Sequence, residues 1–120
     1  MKYICLIYNE ESRLRAMSKD EYESLAKEHL ALDDELEESG HLIASDALRP
    51  VQDATTVRLR NGNLSVTDGP FGETKEQLGG FYLIEARDLN EAIRIAGRIP
   101  SARTGSIEVR PISPDCCVQP

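Results

Sequence analysis

Short apolar runs alternate along the chain with longer amphipathic stretches, which indicates a mixed α and β domain. Residues 2–8 are almost continuously apolar and rich in β-branched and aromatic types, a pattern typical of a strand covered on both faces. Ser18 and Glu21 have the spacing of a capping box, and Gly40 is suited to end the helix that follows. The pattern therefore predicts an opening strand and then a helix over about residues 19–39.

The sequence after residue 40 predicts five further strands and a second helix. The strands are expected over residues 41–47, 55–59, 64–67, 81–86 and 105–110. Asn61 and Gly62 favour a hairpin turn between two of them. Asp88 and Glu91 have capping-box spacing and begin a short helix that Pro100 ends. The order predicts an α+β, ferredoxin-like (split βαβ) antiparallel sheet with two helices on one face and a hairpin that is inserted or extends the middle strands.

A sheet with helices on only one face leaves its other face uncovered. In so small a chain a second copy is the simplest cover, so a homodimer formed by packed sheets is expected. Residues 1–112 are predicted to form a single domain. Residues 113–120 are predicted to be an irregular tail.

Composition and charge narrow the classes of partner. The net charge of -7 argues against nucleic-acid binding, because such a surface repels phosphate backbones. No run approaches the roughly 18 to 20 apolar residues of a membrane span, so a cytoplasmic protein without a membrane partner is expected. Cys5, Cys116 and Cys117 form neither a C-x-x-C pair nor a His/Cys cluster, so we expect reduced thiols and no metal site.

His29 is the first candidate for chemistry. At about 100° per residue it lies in the middle of the apolar stripe of the first helix. The apolar residues within about 60° of it are Tyr22, Leu25, Ala26, Leu32 and Leu36. Asp33 lies four residues further on, where its carboxylate can orient the ring and suit it to general acid/base work. The alternative is a buried neutral histidine that only contributes to packing.

The second candidate is the turn-rich segment over residues 67–80. It combines glycines, a proline, the aromatic Phe71 and charged side chains that include Asp68 and Lys75. Long loops of this kind often bind ligands because a rigid scaffold presents their side chains. The alternative is a long hairpin connection whose charged side chains are merely solvated.

This segment carries a specific resemblance. The run Asp68-Gly69-Pro70-Phe71, followed by residues 73–82, resembles the namesake motif of the YCII-related (DGPF) family. The opening strand and the closing residues 105–111 are also similar to that family, so the resemblance covers essentially the whole chain. It implies a dimeric α+β barrel fold of the ferredoxin-like type.

The resemblance also implies an activity. Members of the family resemble small cofactor-free lyases and isomerases, including an enzyme that eliminates chloride from a chlorinated hydroxyquinol. In that enzyme a histidine paired with an aspartate is the proposed acid/base dyad. The resemblance implies that His29 is that histidine, while Asp33, Glu10 and Asp68 each remain open as the partner carboxylate.

Two hypotheses about function follow. The first is a cofactor-independent lyase or isomerase that acts on a small cyclic or aromatic substrate, with His29 as general base. Asp68, Phe71, Lys75 and Arg58 are its candidate substrate-binding residues, the two cations being available for an anionic group. The second is a non-catalytic metabolite-binding or regulatory module whose acidic surface contacts a regulatory protein partner. The resemblance ties this second hypothesis to sigma-factor signalling.

Overall fold

The computed structural model describes residues 1–120, which form a four-stranded antiparallel sheet and a separate two-stranded hairpin. The strands are β1 (Lys2–Asn9), β2 (Leu42–Ala47), β3 (Thr55–Arg60), β4 (Asn63–Asp68), β5 (Gln77–Glu85) and β6 (Ser106–Pro111). The helices are α1 (Glu11–Arg15), α2 (Lys19–Glu38) and α3 (Leu89–Arg98), and short 3-10 turns occur at Val51–Asp53 and Pro100–Arg103. The sheet order β2-β5-β1-β6 confirms the predicted ferredoxin-like α+β fold.

The hydrophobic core lies between this sheet and the helices. Alternate side chains of β1 and β5 point inward, as the period of two in a strand requires. The buried apolar residues are Tyr3, Cys5 and Ile7 of β1, Tyr82 and Ile84 of β5, Leu32 and Leu36 of α2, and Ala92, Ile95 and Ala96 of α3, together with Ala86 and Ile99. None of the helices is long and apolar enough to cross a membrane.

The predicted ends of α2 are confirmed. Ser18 Oγ accepts a hydrogen bond from the Glu21 backbone N–H at 3.1 Å, and Glu21 Oε1 accepts one from the Ser18 N–H at 3.3 Å. At the other end Gly40 has a φ of +81°, which a residue without a Cβ adopts at no steric cost. The capping box of α2 therefore fixes where the helix that carries His29 begins.

The predicted capping box of α3 is only half correct. Asp88 Oδ1 accepts from the Glu91 N–H at 2.9 Å, as expected. Glu91 Oε1, however, accepts from the backbone N–H of Arg87 at 3.0 Å and not from that of Asp88. The second half of the box therefore lies one residue earlier than predicted.

Two features of the chain before β5 differ from the sequence prediction. The single-turn helix α1 was not predicted, and its N-cap residue Glu10 makes no side-chain capping bond. Strand β5 begins at Gln77, so the predicted loop that ends at Gly80 is shorter by four residues. Gly79 and Gly80 are unfavourable in strands, so the composition predicted that the strand begins only at Phe81. Gly80 is required there because a Cβ would lie 2.9 Å from the Asp46 carbonyl oxygen of neighbouring β2.

The hairpin of β3 and β4 has one apolar face that nothing in the chain covers. Its turn residues Asn61 and Gly62 have φ values of 52° and 76°, which confirms the predicted turn. Four aliphatic side chains share this face and are all exposed, namely Val57, Leu59, Leu64 and Val66. A two-stranded hairpin alone is marginally stable in water.

Candidate functional site

An open cleft of about 440 Å³ lies between the first half of α2 and the sheet. The predicted inward stripe of α2 is buried only in its second half, at Leu32 and Leu36. Leu25 and His29 are half-buried, and Tyr22 is exposed. The first half of α2 therefore lies over the sheet without packing tightly against it. His29 lines the space that remains between them.

Two hydroxyl groups hold the His29 ring. Nδ1 lies 3.3 Å from Tyr82 Oη of β5, and Nε2 lies 3.1 Å from Ser101 Oγ in the 3-10 turn after α3. The rings of His29 and Tyr82 are also stacked, with centroids 6.4 Å apart and planes at 25°. Contacts at both nitrogens and on one face restrict the ring to one orientation.

Asp33 completes this group of side chains. It lines the cleft one helical turn after His29, and its Oδ1 is buried without a hydrogen-bond partner. Burial and the neighbouring Asp33 carboxylate raise the pKa of Tyr82 above its ordinary value, so Tyr82 remains a phenol. The hydrogen bond that the Tyr82 hydroxyl donates runs to the backbone carbonyl oxygen of His29, at 3.5 Å.

The direction of that proton determines the tautomer of His29. A Tyr82 hydroxyl that donates to the His29 carbonyl oxygen accepts from an Nδ1–H of the His29 ring. Nε2 is then unprotonated and accepts a hydrogen bond from Ser101 Oγ–H. Tyr82, His29 and Ser101 thereby form a chain of hydrogen-bonding groups in that order, with the basic nitrogen at the Ser101 end. The Asp33 carboxylate lies beside this chain and raises the pKa of Tyr82.

The charge state of His29 suits a proton acceptor. Burial lowers its pKa below the ordinary value, and Arg103 lowers it further, while Asp33 and Glu28 oppose the shift. Since the net shift is downward from 6.5, the imidazole is neutral at pH 7. A neutral imidazole can take a proton from a ligand, which an imidazolium cannot.

The structure brings together only part of the predicted set of site residues. Asp33 is the candidate carboxylate that lines the cleft with His29. Glu10 lies at the start of α1, outside the cleft lining, with an oxygen 3.9 Å from Lys75 Nζ.

The candidate substrate-binding residues lie outside the cleft lining. Arg58 lies in β3, Asp68 ends β4, and Phe71 follows the hairpin with 84% of its surface exposed. The substrate-binding role of Arg58, Asp68, Phe71 and Lys75 stays a prediction.

Tyr82 and Ser101 are site residues that the sequence did not indicate. Tyr82 has the composition of any strand residue, and the alternation of β5 predicts only that its side chain points inward. Ser101 follows Pro100 and has no local signal of function. The structure brings together no group of three or more His, Cys, Asp or Glu side chains that could hold a metal ion.

Comparisons with known proteins agree with the extent of this fold. A family model described as the YCII-related domain matches residues 1–114. A protein of Rhizobium meliloti (strain 1021), described as uncharacterized, is 44% identical over 115 residues, which cover 94% of this chain and 93% of that protein. The family match includes every helix and strand and every residue that lines the cleft.

Proposed function

This chain belongs to the YCII-related domain family, and from that membership and the geometry of the cleft we propose that it binds a small organic molecule from which His29 accepts a proton. The reaction class is a cofactor-independent lyase or isomerase acting on a small cyclic or aromatic substrate. One observation carries the proposal: a neutral, half-buried imidazole, fixed at both nitrogens, faces an open cleft of about 440 Å³.

The hydrogen-bonded side chains support a route for the proton. As a ligand C–H or O–H bond breaks, its proton passes to Ser101 Oγ while the Ser101 proton passes to His29 Nε2. The resulting imidazolium keeps its Nδ1–H directed at Tyr82 Oη, and the nearby Asp33 carboxylate stabilises the positive charge. Return of the proton to another ligand atom completes an isomerisation, and loss of a leaving group completes an elimination.

One observation favours the non-catalytic alternative, a module that binds a metabolite or regulates a partner. Both nitrogens of His29 already have partners within the chain, and Ser101 is buried. On this alternative, the hydrogen-bonded His29 has a purely structural role and shapes the cleft. The two proposals differ in what removal of the imidazole does: an enzyme loses turnover, whereas a binding module retains its whole function if the cleft stays intact.

We expect the pKa of His29, measured by NMR titration, to lie below 6.5. Because the unfolded chain then binds a proton that the folded chain does not, stability should fall as the pH drops below about 6.5. Asp33→Asn should lower the pKa of both His29 and Tyr82, since the carboxylate raises both. Asp34→Asn, at the exposed neighbouring position, is the matched control and should move neither. An unchanged His29 pKa in Asp33→Asn would contradict the coupling of these groups.

The proposed function is tested by adding hydroxylated and halogenated aromatics and lactones to the wild type and to His29→Gln. The wild type should show ligand-dependent shifts of the His29 resonances and conversion of one compound class. His29→Gln should bind that class but convert it at least about a hundred-fold more slowly, the usual range for loss of a general base. If His29 does not titrate, and if His29→Gln lowers only the stability, then His29 contributes to packing and is not a general base.

We also propose that the protein is a homodimer whose sheets pack face to face. The side chains of Ile4, Leu6, Phe81 and Leu83 alternate with buried core positions, and no helix covers them. The exposed apolar face of the hairpin adds to this surface. Contiguous apolar surface of this kind usually marks an interface.

We therefore expect a solution mass of twice 13.3 kDa by light scattering. Leu6→Lys should shift the equilibrium toward monomer, because a charge on the packed face is costly to bury. Ile93→Lys, at an exposed position of α3 on the helical side, is the control and should remain dimeric. A wild type that is monomeric at all concentrations would rule out the dimer.

A further inference from the structure

The ionisable side chains around the cleft are of one sign. The Asp33 carboxylate of α2 lines it beside His29, and no lysine or arginine does. A carboxylate or phosphate group that entered this space would find no cationic side chain to pair with. Burying an unpaired anion beside Asp33 is strongly unfavourable.

Two cationic side chains close in sequence to cleft residues form ion pairs within the chain. Arg103, in the 3-10 turn that also carries Ser101, forms an ion pair with Glu28. Lys75 lies 3.9 Å from a Glu10 oxygen. Neither is free to neutralise an anionic ligand without the loss of its own partner.

The same holds for the two arginines of α1. Arg13 Nη1 donates to the Thr104 carbonyl oxygen at 3.0 Å. Arg15 Nη1 lies 3.8 Å from a Glu11 oxygen. The net charge of -7 adds a negative field over the whole surface, which attracts cations and repels anions.

The apolar part of the lining determines the body of the ligand. Ile7, Leu14 and Leu25 are among the hydrophobic residues that form more than half of the lining. A ligand that fills this space therefore needs an apolar body as well as a polar head.

On the proposed function of the cleft, we infer that its ligand class is a small amine: an apolar body that carries a protonated nitrogen directed at the Asp33 carboxylate. This class differs from the anionic ligands for which Lys75 and Arg58 were expected. It follows from the Asp33 carboxylate in the lining and from the absence of any lysine or arginine there. The catalytic role of His29 is a separate matter, because charge selection requires only the carboxylate.

Three probes with the same apolar body test this inference: phenethylamine, phenethyl alcohol and phenylacetate. Binding to the full chain at pH 7 is measured from NMR shifts of the cleft residues. The amine should bind at least about ten-fold more tightly than the carboxylate, with the alcohol between them. Asp33→Asn should remove most of this preference, whereas Asp34→Asn, which removes the same charge from an exposed position, should keep it.

The outcomes separate this inference from the proposed function. Tighter binding of phenylacetate than of phenethylamine overturns the inference, and so does the absence of cleft shifts with all three probes. Equal preference in Asp33→Asn and the wild type also overturns it, because the carboxylate would then not select the amine. The acid/base role of His29 is judged independently by its titration and by turnover in His29→Gln, and it stands or fails whichever probe binds best.

Discussion

Gly105→Ala is expected to lower the free energy of unfolding by about 3 kcal/mol. A Cβ at this position would lie 2.0 Å from the Tyr8 carbonyl oxygen and 2.6 Å from Asn9 Oδ1. The Tyr8 oxygen belongs to the backbone of β1, a central strand paired on both sides, so it cannot move without displacing the sheet. The measurement is urea denaturation, with the midpoint and the slope compared with those of the wild type.

Gly97→Ala is the matched control for that substitution. Gly97 lies within α3, and a Cβ there would meet no atom within 4 Å. Alanine should therefore stabilise the protein by about 0.5–1 kcal/mol through its higher helix propensity. Equal stability of Gly105→Ala and wild type would mean that β1 and the turn before β6 pack less closely than described.

The Gly105 contact also connects the fold to the cleft. Asn9 lines the cleft, and it is 8% exposed at the end of β1. A Cβ at position 105 that displaces Asn9 would change the wall opposite α2. The substitution should consequently weaken ligand binding as well as folding.

The sequence predicted the parts of the site that depend on local spacing. The capping box of Ser18 and Glu21 sets the phase of α2, and from that phase the adjacency of His29 and Asp33 follows. The hairpin turn at Asn61 and Gly62 is equally local. Each of these features is determined by residues within about one helical turn or one tight turn of each other.

The remainder of the site depends on contacts between distant parts of the chain. Tyr82 and Ser101 lie 53 and 72 residues after His29, and only the packing of β5 and of the turn after α3 brings them to its ring. The opening of the cleft was not predicted for the same reason. Helical periodicity assigned Tyr22 and Leu25 to the inward stripe, but Tyr22 is exposed, Leu25 is only half-buried, and both line the cleft.

Only the end of the segment that carries the family resemblance, residues 79–82, lines the cleft. The segment that begins at Asp68 carries the specific motif, yet Phe71 is 84% exposed and lies outside the cleft lining. An exposed aromatic side chain next to an uncovered hairpin face is typical of an interface. The motif therefore fits the proposed dimer surface at least as well as it fits a substrate-binding loop.

Leu36→Ala is expected to lower the free energy of unfolding by about 3 kcal/mol, because Leu36 is 0% exposed and its removal leaves a cavity under α2. Leu30→Ala, in the same helix, removes the same atoms from a side chain that is 63% exposed and should change stability by no more than about 0.5 kcal/mol. Urea denaturation of the two variants measures both effects.

The contrast between these variants tests how α2 divides its roles. Leu30 lines the cleft and Leu36 does not, so Leu30→Ala should change the affinity for the amine probe while the fold stays intact. Comparable destabilisation by both variants would contradict the division, since the first half of α2 would then be packed like the second. The expected result means that the second half of α2 packs against the sheet and stabilises the fold. The first half is then free to line the cleft and to present His29 to a ligand.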